Sequence, residues 1–308
     1  MTNYLFLHAH PDDEVTFSGG LIKRLADQGH TITVVFATDD EERRKEAINA
    51  AKILGVTNVE FLGYGDSGFG QSILPEDAFA RCLDDDKLAD EAVQRLLLII
   101  SKNEIDEIYF YDENGIYPHL DHLTCHHIGT LAMQTTGKNA SFITVDREQL
   151  HYLVSKEHAV QQASTALAKT ESTFVEDILS EHDLSEQNSV DELLRTHGLS
   201  RQEIEWLKKG RGREYGSLGM DTTRIMLYGS YIELTDHELQ KKFEAWKAHS
   251  SQTSQFLEAL TDPDDPTTYN DDFREIYGIE CITQYHVLER SIHEGPDKGR
   301  GAPVGLSL

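Results

Sequence analysis

Short apolar runs alternate with amphipathic stretches through the first half of the chain. The apolar runs are five to seven residues long and rich in β-branched and aromatic residues, which is typical of buried strands. The stretches between them carry apolar residues at helical spacing, and two of them stop at a glycine, which favours a helix end. The predicted strands are 4–9, 31–37, 58–64, 106–112 and 141–145, and the predicted helices are 15–28, 40–54, 87–102 and 122–135. This order predicts βαβ units with right-handed crossovers.

The second half of the chain follows a different pattern. Residues 147–220 are rich in Glu, Gln, Lys and Leu without a strand pattern, which favours a helical insertion. An extended segment (222–233), a helical segment (237–260) and a strand (278–288) follow, and the end is rich in Gly and Pro. We therefore predict an α/β fold with a Rossmann-like, mainly parallel sheet flanked by helices. Its predicted parts are a catalytic domain (1–146), a helical insertion (147–220), a segment completing the catalytic domain (221–292) and a flexible tail (293–308).

The net charge of the chain argues against nucleic acid and anionic membranes as partners. The 308 residues include 54 acidic and 28 basic side chains, for a formal charge of −26. Nucleic acid and anionic membrane surfaces repel such a chain. Residues 189–213 resemble a helix-turn-helix with a basic end, but the charge favours a partner surface or an oligomer contact there. We expect no nucleic acid and no membrane partner, and we leave homo-oligomerisation open.

Cysteine usage and apolar run lengths indicate the compartment. Cys82, Cys125 and Cys281 are widely spaced and include no CxxC pair, so they predict neither a disulfide framework nor a cysteine zinc site. Cys125 is interpreted as a buried structural thiol. The start MTNYLFL has no basic region, and the longest apolar run, at 96–100, is too short to span a bilayer. We expect a soluble cytoplasmic protein.

The first candidate chemistry lies where the first strand ends. The sequence HPDDE at 10–14 stands where a nucleotide site would need glycines, and its acids would repel phosphate. His10 and Asp13, three residues apart across a turn fixed by Pro11, can instead direct an imidazole and a carboxylate at one point. A divalent cation there would keep the adjacent carboxylates ionised. This motif therefore favours a metal site that still needs another ligand.

A second motif at the end of the fourth strand supplies candidates for that ligand. The sequence HLDH places His119, Asp121 and His122 on a neighbouring loop, because the carboxyl ends of parallel strands meet at one edge of a sheet. Together the two loops predict His₂Asp coordination with an open position for water, as in a catalytic zinc site. Asp12 would then act as base on the activated water.

Each motif by itself also has a simpler explanation. Acidic residues after a proline at a helix start are ordinary caps that complement the helix dipole. In a chain with 15 histidines, HLDH is also compatible with a surface loop. The presence of both motifs at the carboxyl ends of neighbouring parallel strands favours the metal site.

These residues carry a family resemblance. HAHPDDE (8–14), the ATD after the second strand, RRKEAINAAKILGV leading into VEFLGYGDSG, and YDENGIYPHLDH (111–122) resemble the PIG-L/LmbE-like family of metal-dependent N-acetylglucosamine deacetylases. Its members include deacetylases and amidases of the mycothiol and bacillithiol pathways. The resemblance covers about 1–135, and KKFEAWKAHSSQ (241–252) is similar to a later family stretch. One departure is PHLDH where the family usually has GHPDH, so Pro118 and Leu120 alter the loop that aims His119.

The resemblance implies roles for individual residues. The metal ligands would be His10, Asp13 and His122, holding zinc, with ferrous iron as the alternative. Asp12 would be the general base, and it would later pass its proton to the leaving amine. The remaining catalytic residues would be His119, which when protonated meets the oxyanion or serves as acid, Asp121, which orients a histidine, and Tyr117, near the oxyanion.

Substrate contacts are implied for two further residues. Arg43 and Asp66 match positions that contact the sugar or the attached polyol in the thiol-pathway members. The alternative is a helix-surface pair of Arg43 with Glu46 and an Asx turn at Asp66. Lys247 and His249 could line the same cleft, but we interpret them as part of a surface helix.

The implied function is metal-dependent removal of an N-acetyl group from an N-acetylglucosamine-type conjugate, a small-molecule substrate. The alternative is an amidase that cleaves a larger acyl amide of a glucosaminyl thiol conjugate, with the insertion reshaping the mouth of the site. The aglycone, the acyl group and the physiological metal stay open.

Overall fold

A computed structural model describes residues 1–68, 73–113, 115–116, 119–144 and 230–284. The predicted insertion, the helix-turn-helix-like segment, the tail and Tyr117 lie outside the described residues. The division into domains therefore stays a prediction.

One seven-stranded sheet forms the centre of the described structure, in the order β3-β2-β1-β4-β5-β7-β6. Its strands are β1 (Asn3–His8), β2 (Thr31–Thr38), β3 (Asn58–Tyr64), β4 (Glu107–Tyr111), β5 (Asn139–Thr144), β6 (Ser230–Glu233) and β7 (Ile279–Gln284). The strands β1 to β5 pair in parallel, whereas β7 is antiparallel to both β5 and β6. The predicted mainly parallel α/β fold is confirmed.

The described helices are connected to the strands largely as the pattern predicts. They are α1 (Asp13–Phe17), α2 (Gly19–Asp27), α3 (Glu41–Leu54), α4 (Asp86–Lys102), α5 (Leu120–Thr136), α6 (Asp236–Ala248), α7 (Ser250–Thr253), α8 (Leu257–Leu260) and α9 (Asp271–Tyr277), with 3₁₀ turns at Phe79–Leu83 and Ser254–Phe256. None of these is long and apolar enough to cross a membrane.

Capping explains where the central helices begin and end. The side chain of Asp40 accepts hydrogen bonds from the backbone of Glu42 and Arg43 at the start of α3, and Gly55 ends that helix at a φ of 86°. Thr235 and Glu238 form a reciprocal capping box at the start of α6. These local signals are readable in the sequence, which is why the predicted bounds of these helices fall close to the observed ones.

Two predicted helices are interrupted in the structure. The helix expected over 15–28 is broken at Ser18, whose non-helical φ of −144° separates α1 from α2. The Oγ of Ser18 lies 3.0 Å from Nε2 of the buried His8, so a tertiary contact fixes this break. The helix expected over 237–260 ends at Ala248, where His249 turns the chain.

The strand order creates a crevice at the carboxyl edge of the sheet. From β1 the chain crosses to β2 and β3 on one side, then returns to β4 on the other side of β1. The connections that follow β1 and β4 therefore run to opposite sides of the sheet and leave a crevice between the two strand ends. Open α/β sheets bind ligands at such a switch point. Both candidate motifs lie in these connections.

A buried ion pair attaches the C-terminal elements to the first half of the chain. Lys242 Nζ on α6 lies 2.7 Å from Glu280 Oε1 on β7, and both side chains are almost fully buried. The two carboxylate oxygens of Glu280 also accept hydrogen bonds from the backbone N–H groups of Gly20 and Leu21, at 2.7 and 2.8 Å. A carboxylate is favourable there because the first turn of α2 exposes unpaired N–H groups.

Gly20 permits this close packing. A Cβ at this position would lie 2.3 Å from the Leu234 side chain, which follows β6. The sequence Gly19–Gly20 thus lets α2 approach the C-terminal strands closely, while Glu280 satisfies its helix start.

Replacing Lys242 by methionine tests how much the ion pair contributes to the free energy of unfolding. We expect Lys242→Met to lower the free energy of unfolding by about 3–5 kcal/mol, because it leaves the Glu280 carboxylate buried without its cation. Lys241→Met is the matched control, because Lys241 pairs with Glu244 on the surface of the same helix and such pairs contribute about 0–1 kcal/mol. Denaturant unfolding measures both. An equal loss of unfolding free energy in the two variants would show that the buried pair contributes no more than a surface pair.

Candidate metal centre

The loop after β1 folds tightly around Asp13. The backbone N–H of His10 donates to Asp13 Oδ2 at 2.8 Å, and the backbone N–H of Asp13 donates to the His10 carbonyl at 3.2 Å. Asp12, between them, has a φ of 116°, a left-handed conformation that residues other than glycine rarely adopt. The turn directs the side chains of His10 and Asp13 to the same side.

Hydrogen bonds to the side chain of Asp112 hold the loop after β4 in place. Its carboxylate accepts hydrogen bonds from the Ile116 N–H at 3.0 Å and from Thr144 Oγ1 on β5 at 2.6 Å. Gly115 has a φ of 66°, and a Cβ there would lie 2.8 Å from His122 Cβ. The loop therefore passes directly over the first turns of α5, which carry His122.

The two loops bring together the three residues that the sequence predicted as metal ligands. Nδ1 of His10 and Nε2 of His122 each lie 3.4 Å from Asp13 Oδ2. One ligand atom from each of these three residues lies within 4.8 Å of the others, and all three residues are buried. Tetrahedral zinc with bonds of about 2.0–2.1 Å separates its ligands by about 3.4 Å, so the spacing fits such an ion.

Each histidine of this set is oriented through its other ring nitrogen. His122 Nδ1 lies 2.9 Å from the Gly115 carbonyl, which can only accept, so Nδ1 carries the proton and Nε2 the lone pair. His10 Nε2 lies 3.0 Å from Asp121 Oδ2, which can only accept, so in the neutral form of the ring the proton is on Nε2 and the Nδ1 lone pair faces Asp13. Asp121 is held in turn by Ser67, through the backbone N–H at 2.9 Å and through the hydroxyl. Such outer partners are characteristic of metal-binding histidines.

The aromatic ring of Tyr111 on β4 supports His122. The two rings stack with centroids 4.5 Å apart and an angle of 23°. The Tyr111 hydroxyl accepts a hydrogen bond from the Ala9 N–H at 3.1 Å, which connects β4 to the loop after β1. Sequence reasoning missed Tyr111, because an aromatic residue in a buried strand reads as core.

The protonation properties of the centre indicate a strong negative potential. Burial by itself would lower the pKa of His10, but the carboxylates of Asp121 and Asp13 outweigh it and raise the pKa well above its usual value. Burial and the adjacent Asp13 charge raise the pKa of Asp12 to about 7, against the opposing charge of Arg43. The negative charge that favours a proton on these groups would equally favour a cation bound between them. The donor set therefore fits a divalent cation.

A second group of potential ligands overlaps the first. His10, Asp66, His119 and Asp121 also offer ligand atoms within 4.8 Å of one another. His10 Nε2 and Asp121 Oδ2 already bond to each other in this group, and the Asp66 side chain is 44% exposed. The buried set of His10, Asp13 and His122 is therefore the better centre.

His119 lies beside the centre as a neutral imidazole. It caps α5, and its Nδ1 accepts a hydrogen bond from the Asp121 N–H at 3.2 Å. Burial, together with the neighbouring His10 and His122, lowers the pKa of His119 to about 4. In this tautomer the proton is on Nε2, so His119 can act as a hydrogen-bond donor without being charged.

Arg43 and Asp66 both lie beside the centre. Arg43 Nη2 donates to Asp12 Oδ1 at 2.9 Å and to the Pro11 carbonyl at 2.6 Å, and Nη1 lies 3.5 Å from Asp66 Oδ2. The Asx turn considered for Asp66 is also present, because its Oδ1 accepts from the Gly68 N–H at 2.8 Å. Glu46 is bonded elsewhere, to Ser250 and Ser251.

The interpretation of His249 as a surface residue is wrong. Its side chain is fully buried, and Nε2 lies 2.6 Å from Oε1 of Glu14, the last acid of HPDDE. The helix pattern that placed it outside ends one residue earlier, at Ala248. Lys247, by contrast, lies over the Phe243 ring at the surface, as predicted. The only sequence signal for His249 was the family-like stretch 241–252.

Comparisons with known proteins identify relatives of this chain. The family model PIG-L, described as GlcNAc-PI de-N-acetylase, matches residues 5–133. A 1D-myo-inositol 2-acetamido-2-deoxy-alpha-D-glucopyranoside deacetylase of Saccharomonospora viridis is 30% identical over 195 residues, which are 54% of this chain and 68% of that protein. A mycothiol S-conjugate amidase of Streptomyces coelicolor is 36% identical over 163 residues, 44% of this chain and 53% of the relative. The chain thus matches only about half of the length of the amidase.

Solved structures share the fold. A deacetylase of the teicoplanin biosynthesis pathway aligns with a TM-score of 0.51 at 12% identity, over 92% of this chain and 98% of its own. The deacetylase of the A40926 pseudoaglycone aligns with the same TM-score and identity, over 92% and 96%. The solved structures indicate the fold, whereas the sequence matches indicate the family. The chain belongs to the PIG-L family, whose relatives named above are amide-cleaving hydrolases.

Proposed function

We propose that this protein is a metal-dependent hydrolase that removes the N-acetyl group from an amino-sugar conjugate of the N-acetylglucosamine type. The observation that carries the proposal is the His10, Asp13 and His122 set with Asp12 and His119 directly beside it. The name of the Saccharomonospora viridis relative specifies a 2-acetamido-2-deoxyglucopyranoside, which has the amide that such a centre would cleave.

His10, Asp13 and His122 would hold the cation, with zinc as the preferred ion and ferrous iron as the alternative. The bound cation would supply Lewis-acid polarisation of the amide carbonyl and of the attacking water. Asp121, through its hydrogen bond to His10 Nε2, would keep that ligand oriented.

Asp12 would accept the proton of the attacking water. Arg43 fixes its Oδ1 at 2.9 Å and favours the ionised form that a base requires. As the tetrahedral species collapses, the C–N bond breaks and Asp12 returns the proton to the departing amine, which leaves acetate and a free amino sugar.

His119 would donate a hydrogen bond from Nε2–H to the developing oxyanion. The structure supports a neutral donor in this position, because backbone bonding fixes Nδ1 as the acceptor. The oxyanion role of Tyr117 stays a prediction.

Arg43 and Asp66 would bind sugar hydroxyl groups at the mouth of the centre. The half-exposed Asp66 carboxylate is suited to accept from a hydroxyl, and the Arg43 guanidinium is suited to donate to one. A larger acyl group is the second candidate for the leaving acid, because the Streptomyces coelicolor relative is named as an amidase.

Acetate release tests the reaction and the role of Asp12 together. We expect the metal-loaded protein to release acetate from N-acetylglucosamine conjugates, and Asp12→Asn to lower kcat by about 10²–10⁴-fold, because the amide cannot take up the proton. Asp27→Asn is the control, since Asp27 pairs with Lys23 on the surface of α2 and should leave kcat unchanged. Equal rates for wild type and Asp12→Asn would exclude Asp12 as the base.

An assay of the released amine, the product common to both reactions, can separate deacetylase from amidase. Turnover of acetyl and of bulky acyl versions of one glucosamine conjugate is compared by kcat/KM. A higher value for the acetyl version is expected, and a higher value for the bulky version would favour the amidase.

Two glycines with matching backbone conformations test the placement of His122. Gly115 and Gly137 have φ of 66° and 65°, but an added Cβ meets His122 only at Gly115 and open space at Gly137. We expect Gly115→Ala to weaken zinc binding by about 10–100-fold, as disruption of the outer ligand support does. Gly137→Ala should bind zinc as wild type does, despite the same backbone penalty. Competition with a chromophoric chelator measures the affinity, and unchanged binding by Gly115→Ala would contradict the assigned ligand.

A further inference from the structure

A buried contact between Glu14 and His249 joins the loop region after β1 to the C-terminal helices. The residues are 235 positions apart, and both are fully buried. Glu14 belongs to the short helix α1, directly after the proposed ligand Asp13. His249 forms the turn between α6 and α7.

The second oxygen of the Glu14 carboxylate binds the backbone of Asp12. The Asp12 N–H donates to Glu14 Oε2 at 2.9 Å. This bond holds the residue at its φ of 116°, a conformation that it would rarely adopt without external support. Glu14 therefore bridges His249 and the strained backbone of the proposed base.

The turn that carries His249 is itself fixed to the helix that orients the Asp12 side chain. Glu46 on α3 accepts hydrogen bonds from Ser250 Oγ and the Ser251 N–H, both at 2.8 Å, and from Ser251 Oγ at 2.6 Å. Arg43, one turn earlier on α3, donates to Asp12 Oδ1. One helix thus positions both the base and the residue behind it.

The hydrogen bonding of His249 distinguishes this contact from simple core packing. Among the described residues, Glu14 is its only side-chain hydrogen-bond partner, because Nδ1 has none. An apolar residue would fill the same volume without burying an unpaired nitrogen, which is costly. The imidazole is therefore explained by what Nε2 does for Glu14.

We propose that His249 is a positioning residue that acts through Glu14 to hold Asp12 in its active conformation. The proposal rests on the proposed function only in taking Asp12 as the base. The hydrogen bonds that His249 makes to described residues reach neither Arg43 and Asp66 nor the three proposed ligands, so His249 should affect the rate rather than metal binding.

Two amide substitutions separate positioning from packing. The side-chain nitrogen of glutamine lies about where histidine has Nε2, whereas that of asparagine lies about where histidine has Nδ1. We expect His249→Gln to keep kcat near wild type, because it can still donate to Glu14. His249→Asn should lower kcat by about 10–10²-fold, the loss typical of a misplaced catalytic group, with KM and zinc stoichiometry unchanged. The same two substitutions at His237, an exposed histidine at the start of α6, are the control and should leave kcat unchanged.

Amide hydrogen exchange of Asp12 provides a readout that needs neither substrate nor metal. The Asp12 amide should be protected in wild type and in His249→Gln, and should exchange faster in His249→Asn. If the wild type released no acetate, the proposed function would fail, and the exchange pattern would still decide the positioning role. The role is overturned if the two amide variants have equal kcat, if the change lies in KM or zinc content, or if Asp12 exchange is the same in all variants.

Discussion

A single carboxylate oxygen, Oδ2 of Asp13, is the point on which the centre depends. It lies 3.4 Å from a nitrogen of His10 and 3.4 Å from a nitrogen of His122, and it also accepts the His10 N–H. The two histidines belong to loops that leave different strands, and they meet only because β1 and β4 are neighbours at the switch point of the sheet. The strand order therefore creates the candidate centre: without the crossover that returns the chain beside β1, His122 would not lie near His10 and Asp13.

The electrostatics of the crevice follow from the same arrangement. Carboxylates from several elements converge on one imidazole, and burial removes the water that would otherwise screen them. The result is a raised pKa for His10 and a raised pKa for Asp12, two signs of a site that favours additional positive charge. The surroundings also separate the two adjacent aspartates of HPDDE. The Asp13 carboxylate faces the imidazoles of His10 and His122, whereas the Asp12 carboxylate pairs with Arg43.

The C-terminal elements are attached to the first half of the chain through buried polar contacts. Glu280 and Lys242 join β7 and α6 to the start of α2, while Glu46 and Glu14 join α3 and α1 to the turn after α6. Each of these contacts places a charged group at a buried position with its polar partners provided, which is the condition under which buried charge is tolerated. Glu14, directly after the HPDD turn, is thus supported by a residue 235 positions away in the sequence, and Glu46 on α3 by one 204 positions away.

Local patterns in the sequence determined the elements, the parallel sheet and the two motifs. Apolar periodicity and capping residues act within a few neighbouring positions, so the predicted bounds of α3 (Glu41–Leu54), β3 (Asn58–Tyr64) and α4 (Asp86–Lys102) fall within a residue of those observed. The three proposed ligands were also within reach, because their motifs follow predicted strands. Tertiary structure alone decided the break at Ser18, the neutral tautomer of His119, the support of His122 by Tyr111 and the burial of His249 against Glu14. These depend on contacts between residues distant in sequence, whose geometry no local propensity encodes.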